Sequence, residues 1–475
     1  MATPIVNVQD VTVNNLSIRS ALGNFDLIPL FVELTIEESL FRSSLTGSII
    51  LADSFNIPEK LPIVGEETLD IDIALSGIDG REDEVGLSIK PPPMHVNSID
   101  ARFMAKPKSQ VFTLDLISEQ FMSSMHSKIS KSYSGKRISD MVTDIYYTYL
   151  NDGSNSSNQL NTETTERTES LIIPNLSPLD AISWLSNRAE GSAGGNNYVF
   201  YETIDGSSFI SINTLSGVEP FWKFIFKPRS DDAAGVENLA KGIQKINKYY
   251  FLKQFDKIQN IEDGYYSSKL ITHDIVRKKI TQYDFNGYYD FLSLNHVGTF
   301  PVISSSKVET ASSGVNRTSF APSDEANNFP ITNERDLSSM TDGAVCFYPK
   351  HNQMYAKNSK DLYDNKVETW KLQRNAQLAA YDNLTMMIEV SGNSTLRVGQ
   401  TVTLELPSAE ATDGDGGAEH AYDKFLSGAY MITAIKHIFS AHQKKDNKVS
   451  YTMKIELVKD ALEDVVTNRT SRKED

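Results

Sequence analysis

In the first quarter of the chain apolar and polar residues alternate over several short runs: Ile28 to Ile36, Ser48 to Ala52, Thr68 to Ala74 and Val111 to Ile117. A period of two marks half-buried strands, and clusters of Gly, Pro and Asp between the runs supply turns, so residues 1–116 read as a sandwich or barrel. Within Thr68-Leu69-Asp70-Ile71-Asp72-Ile73 the apolar Leu69, Ile71 and Ile73 share one face, and the acids occupy the other. Pro91-Pro92-Pro93 reads as a stiff connector. After Ser118 the period lengthens. Ile138, Met141, Val142, Ile145, Tyr149 and Leu150 recur at helical spacing and predict an amphipathic helix over 135–150. The polar stretch 151–168 reads as a loop.

A second helix opens at Ser177-Pro178-Leu179-Asp180, with Ser177 as N-cap, Pro178 at the first helical position and Asp180 where an acid satisfies free amides. Its buried side is expected to carry Leu179, Ile182, Leu185 and Ala189, with Trp184 alongside. Tyr198 to Thr203 and Ser208 to Asn213 flank Asp205-Gly206, a hairpin signal. Further on, Ile243 to Ile261 reads as a basic, aromatic helix and Tyr265 to Phe285 as alternating strand. Residues 290–365, rich in Ser, Thr and Asn from Ser304 to Thr341, read as an insertion. A helix is predicted from about Lys366 to Asp382, opened by Asn365 and Glu368, with Val367, Trp370, Leu378 and Tyr381 on one side. Strands follow at 384–390, 401–406, 430–438 and 450–458, and the polar tail Thr467 to Asp475 is expected to be mobile.

A length of 475 residues implies several domains. The one cysteine, Cys346, excludes an internal disulfide framework and paired-thiol redox chemistry. The N-terminal MATPIVNVQD lacks a basic region leading into an apolar one, and no window approaches an unbroken membrane span, so stable membrane insertion is not expected. The formal net charge is −16, and residues 1–116 hold 17 Asp and Glu against 8 Lys and Arg. Acid repels phosphate. The imbalance fits either a solubilising surface or a conduit wall past which DNA slides without sticking.

The two β regions echo each other. Val64-Gly65 precedes an alternating strand and Leu114-Asp115-Leu116-Ile117 closes the first region; Val398-Gly399 precedes Thr401 to Leu406 and Ile455-Glu456-Leu457-Val458 closes the second. Such matches are common among β domains, so the pattern leaves coincidence and duplication both open.

Several segments, in order, resemble one family. Phe41 to Ile73, FRSSLTGSIILADSFNIPEKLPIVGEETLDIDI, is similar to the hallmark segment of the central baseplate hub protein of contractile-tailed, T-even-like phages, a family related to the N-terminal half of type VI secretion spike proteins. Lys108 to Leu116, the helix at 136–150, Ile173 to Asp180 with Trp184-Leu185, and Tyr198 to Tyr201 are similar to that family's second domain. Gln259 to Tyr266 with Leu270 to Lys279 looks like the start of its second barrel.

The resemblance implies a mainly β fold with α+β parts, built from two tube-type antiparallel β-barrel domains plus smaller α+β domains. It implies a first tube-like barrel over 1–116, an α+β domain over 117–222, the first part of a second barrel with a helix over 223–289, an inserted small domain or loop over 290–365, completion of the barrel over 366–465, and a mobile tail over 466–475. It further implies a homotrimer with a central spike protein, a tail tube or tube-initiator protein and surrounding baseplate proteins as partners, and DNA only as passing cargo. Asp70 and Asp72 in the first barrel and Thr403 and Glu405 in the second are then candidate lumen or interface positions. The expected place is the virion tail baseplate, assembled in the host bacterial cytoplasm.

No enzyme, metal or cofactor signature emerges. HExxH, GxSxG, a phosphate-binding glycine loop and CxxC are all absent from the sequence. Asp413-Gly414-Asp415-Gly416 lacks the later ligands of a calcium loop and reads as surface loop. Of His420, His437 and His442, His437 lies in an alternating strand and reads as structural. Arg277-Lys278-Lys279 reads as the wet side of a strand. Two other functions stay open: the hub of a phage-like secretion or injection system, and a tail-associated cell-wall hydrolase.

Overall fold

A computed structural model of the chain describes residues 10–61, 63–75, 88–151, 159–191, 197–226, 242–287, 290–302, 343–350, 367–408, 422–423, 425–441 and 448–463. Period-two segments become strands because each can then bury one face while its backbone groups pair sideways. The first unit contains β1 (Asp10–Ser20), β2 (Gly23–Asp26), β3 (Phe31–Ser39), β4 (Thr46–Asp53), β5 (Thr68–Leu75), β6 (Ser88–Ile89), β7 (Met94–Lys106) and β8 (Ser109–Ser118). Gln110, Phe112, Leu114, Leu116 and Ser118 of β8 are buried while the residues between them are half-exposed. Leu69, Ile71 and Ile73 of β5 are buried, as the alternation required.

An α+β module follows. It carries β9 (Ser132–Arg137), β10 (Leu160–Thr162), β11 (Thr168–Ile172), β12 (Tyr198–Thr203) and β13 (Gly206–Ser211). The helix predicted from Gly135 begins later, at Ile138, because Gly135 belongs to β9, and it ends in a π-helical turn, Tyr146–Leu150. Ser177 caps the helix Pro178–Ser186 by accepting from the Asp180 amide. The β12–β13 hairpin turns at Thr203 and Gly206, whose φ of 141° suits only glycine.

The second unit holds β14 (Trp222–Ile225), β15 (Ile246–Lys253), then β16 (Ser267–Asp274), β17 (Lys279–Asn286), β18 (Phe300–Pro301), β19 (Val345–Pro349), β20 (Leu384–Ser391), β21 (Thr401–Glu405), β22 (Gly428–Ser440), β23 (Lys448–Lys459) and β24 (Ala461–Leu462). Three sequence expectations are corrected here. The helix expected over 243–261 is strand β15 followed by a short helix, Lys257–Glu262. Aromatic and apolar residues at Tyr249, Tyr250, Phe251 and Leu252 alternate in burial with period two, and Asp256 caps a new helix through the Gln259 amide. Strands β16 and β17 form a separate sheet with β19, which comes from the 290–365 stretch, and the helix Val367–Tyr381 covers one face. Arg277 and Lys278 lie in the hairpin turn between β16 and β17, not on a strand, and only Lys279 begins β17. Asn365, Lys366, Asp413 to Gly416, His420, His442 and Thr467 to Asp475 lie outside the described residues.

The molecule is mainly β with α+β parts. One 14-stranded sheet runs β14-β21-β22-β3-β4-β8-β7-β5-β1-β23-β20-β15, and β22 also pairs with β23. The path hides a repetition. In the first unit the neighbours run β5-β7-β8-β4-β3, and in the second β21-β22-β23-β20-β15: the third, fourth, fifth, second and first of five strands taken in chain order, both times.

Registers repeat too. Ile432 faces Leu457, and after a bulge Ala434 faces Glu456; Val96 faces Leu116, and after a bulge Ser98 faces Asp115. A second bulge separates Phe31 from Glu33 against Leu51 and Ile50, and another separates Ile246 from Lys248 against Val390 and Glu389. Leu114 to Ile117 and Ile455 to Val458 therefore occupy equivalent places. Gly65 and Gly399 share a left-handed φ, 96° and 84°. That conformation explains why glycine follows valine in both Val64-Gly65 and Val398-Gly399. The flanking strands differ, since β1 runs antiparallel to β5 whereas β14 runs parallel to β21.

Candidate functional site

Surfaces and seams are what this architecture offers for function, beginning with the polar strand faces. Asp70 and Asp72 alternate with the buried residues of β5 and are half-exposed; each has a cationic neighbour, Arg19 Nη2 at 2.5 Å from Asp70 and Lys90 Nζ at 3.8 Å from Asp72. Thr403 and Glu405 alternate in the same way on β21, and Glu405 is ion-paired with Lys223 of the parallel β14. The predicted acids thus sit on ladders of paired charge rather than bare acidic stripes. Exposed pairs of this kind contribute little stability, so their effect is on the local field. Asp70 and Asp72 belong to one unit and Thr403 and Glu405 to the other.

A seam joins the two units inside the chain. Strand β22 bonds β21 through Gly428 to Met431, then exchanges that neighbour for β3, from Ala434 opposite Ser39 to Ser440 opposite Glu33. Lys436 donates to Glu37 across it at 2.8 Å, and Ser440 Oγ to Glu33 at 3.3 Å. The far end of the hairpin closes back on the first unit where Asp10 to Thr12 of β1 meet Lys448 to Ser450 of β23.

A buried polar knot lies where this seam meets the α+β module. Glu38 at the end of β3 accepts from the amides of Ile204 at 2.9 Å and Val398 at 3.5 Å, and Arg397 Nε lies 3.8 Å away. Arg397 in turn makes a two-pronged contact with Asp205 of the β12–β13 turn, at 2.7 and 2.8 Å. Glu202 accepts from the Leu45 amide at 2.9 Å. Burial pushes the Glu38 carboxyl up to about 7 against the pull of Arg397, and burial does the same to Glu202. His437, fully buried, meets the Tyr451 hydroxyl through Nδ1 at 2.8 Å, and burial holds its ring down at about 3, neutral at ordinary pH. It is a structural histidine, as its strand position implied. Sequence reading missed this knot; the only local signals were the paired acids Glu37-Glu38 ending an apolar strand and an arginine before Val398-Gly399.

The chain also has a cleft of about 590 Å³ between the α+β module and the β19 sheet, lined by Trp184, Trp370, Tyr348, Arg167, Arg188 and Glu190 among others. Arg188 stacks on Trp184 at 4.2 Å and Arg167 is bonded to Glu190 at 3.0 Å. Among the described residues no group of three His, Cys, Asp or Glu is placed to hold a metal, and no helix is long and apolar enough to cross a membrane.

No protein-family model matches the chain, and no curated protein matches it in sequence. Among solved structures it is similar to the 43 kDa tail protein of prophage MuSo2 from Shewanella oneidensis, at 9% identity over 94% of this chain and 99% of that one, with a TM-score of 0.50. A tail protein from Neisseria meningitidis aligns at 10% identity over 94% of this chain and 96% of its own, TM-score 0.49. An Escherichia coli component of the type VI secretion system aligns at 9% identity over 90% of this chain and 73% of its own, TM-score 0.39. The first likeness is one of fold: the chain is built like a phage tail protein.

Proposed function

We propose that the chain is a structural, non-enzymatic component of a phage-type tail: a homotrimeric baseplate hub whose two barrel-like units per chain, tripled, form a sixfold ring joining a threefold central spike to the sixfold tail tube. Its bore passes DNA as cargo, and Asp70, Asp72, Thr403 and Glu405 are assigned to the bore or to subunit contacts. Surrounding baseplate proteins complete its partners, in a virion assembled in the bacterial cytoplasm. The tail-protein fold supports the class of function.

The observation that carries the ring is a pair of vacant strand edges. Inside the chain the first-position strand of unit one, β3, bonds the fourth-position strand of unit two, β22. Their counterparts are β15 and β7. Strand β7 bonds β5 only at Met94 and His95 and leaves the rest of that edge without a strand partner among the described residues. Strand β15 ends the sheet path, and among the described residues its outer side meets only a bridge just before the strand, where Ile225 faces Lys245. Repeating the internal seam between chains joins β15 of one copy to β7 of the next, a head-to-tail contact that forms a ring if its rotation closes. The register follows from the equivalences above. Ile438 opposite Thr35 becomes Phe103 opposite Tyr250, and Lys436 opposite Glu37 becomes Asp100 opposite Lys253, an acid–base pair with its signs exchanged.

The test is a Phe103→Cys, Tyr250→Cys variant with Cys346→Ser, oxidised and run on a denaturing gel. Covalent species that stop at three chains are expected. Absence of cross-links, or an open ladder beyond three, overturns the ring. Incubation with peptidoglycan tests the competing hydrolase reading, where solubilisation counts against a purely structural role.

A further inference from the structure

The small sheet β17-β16-β19 has unlike faces. Leu270, Phe285, Cys346 and Tyr348 turn toward Val367, Leu372 and Ala376 of the covering helix. On the other face the registers place Ile271 beside Phe347, and His273 between Ile280 and Pro349. Phe347 is 74% exposed and Ile280 67%; the adjoining turn presents Ile275 and Val276 nearly as fully. Single exposed apolar residues are ordinary, but a face and a turn exposing them together form a contact surface. The same turn and the start of β17 carry Arg277, Lys278 and Lys279 in a chain of formal net charge −16, and among the described residues only Arg277 of the three approaches an acid, Asp274 at 4.0 Å.

We infer that this face clasps the first unit of a neighbouring copy of the chain, beside the β7–β15 seam; the inference rests on the ring proposed above. Two observations select that occupant. The sheet is tethered to the vacant edge, because the chain leaves β15 at Lys253 and begins β16 at Ser267 after a single short helix. What lies across that edge in the ring is the first unit of the next copy, the most acidic part of the sequence, with 17 acids against 8 bases in residues 1–116. Opposite charge guides the approach and the apolar face supplies contact energy once water leaves.

Sedimentation of a concentration series tests the clasp, with wild type compared to Lys278→Glu/Lys279→Glu and to Phe347→Ser. These side chains are exposed, so the variants are expected to melt with the wild type when dilute and monomeric. Each is expected to raise the dissociation constant of the trimer roughly tenfold, and the charge-reversed variant to lose the salt sensitivity of the wild type. Unchanged dissociation in both, with the Phe103–Tyr250 cross-link still forming, overturns the clasp and leaves the ring standing. No cross-link and no trimer at the highest soluble concentration overturns both. Wild-type binding to vesicles of anionic phospholipid, abolished in both variants, would assign the face to a membrane surface and overturn the clasp as well.

Discussion

The two units solve the same backbone problem with different side chains. Strand order, both bulges and the left-handed glycine before the third strand coincide, yet equivalent positions hold unlike residues. Asp53 faces Gln110 in the first unit, where Gln110 Nε2 donates to Asp53 at 3.0 Å and the aspartate also accepts from the Phe55 and Ile57 amides, each at 2.7 Å. The matching pair in the second is Gly392 and Tyr451, where the ring lies over a residue with no side chain. Register is thus kept by backbone geometry, while each unit fills the resulting space in its own way. The larger contrast is at the edges. The first unit has its β3 edge covered from within the chain, whereas among the described residues the second has no strand on the equivalent edge of β15.

The sharpest way to break the comparison is Gly392→Val. A Cβ there would meet Tyr451 Cδ1 at 1.9 Å, so a loss of about 3 kcal/mol or more is expected in denaturant unfolding, because the ring is fully buried. Next is Glu38→Ala, which strips a buried acceptor from two amides that tie both units to the α+β module. A cost of about 2–3 kcal/mol is expected by the same measurement.

The glutamate also governs the response to pH. Its ordinary pKa of 4.5 becomes about 7 in the fold, as does that of Glu202, so between those values the folded chain keeps protons that the unfolded chain releases, and stability falls as pH rises. His437 acts the other way between about 3 and 6.5, where only the unfolded chain takes up its proton. Glu38→Gln is therefore expected to flatten the decline between pH 5 and 7, read as melting temperature against pH; an unaltered slope would show that Glu38 stays ionised in the fold.

Smaller effects separate the matched glycines. Alanine at either Gly65 or Gly399 meets a left-handed φ, costing about 1–2 kcal/mol. Gly399→Ala should cost more, since its Cβ would lie 3.0 Å from the Tyr201 hydroxyl, while at Gly65 the nearest atom is at 3.8 Å. Least in stability is Asp70→Lys with Asp72→Lys, under about 1 kcal/mol, because what is lost is two solvent-screened ion pairs and a long hydrogen bond from Asn14. Slower DNA ejection without an assembly defect is its expected phenotype, and unchanged ejection would remove both residues from the bore.

Strands with a clean period of two were legible in the sequence, as were the Ser177 cap and the Gly206 hairpin, because each is a local rule. The stretch 243–261 was not, since a run of aromatic and basic residues satisfies helical and strand spacing about equally and only pairing with β20 decides between them. The Glu38 knot was invisible for another reason: its partners are separated by more than 150 residues and meet only through sheet topology. Val-Gly and the closing tetrapeptides pointed to a repeat without proving it; the shared strand order, two matching bulges and a left-handed glycine in each unit show that the topology repeats.

The β22–β23 hairpin belongs to both halves at once, and this sharing removes their autonomy. Cutting the chain after the α+β module would leave β3 with a bare flank, and deleting the first half would leave β22 unpartnered along most of one side. Calorimetry of the intact chain should accordingly record a single melting event for the two, and neither half is a portable part that could be moved into another polypeptide alone.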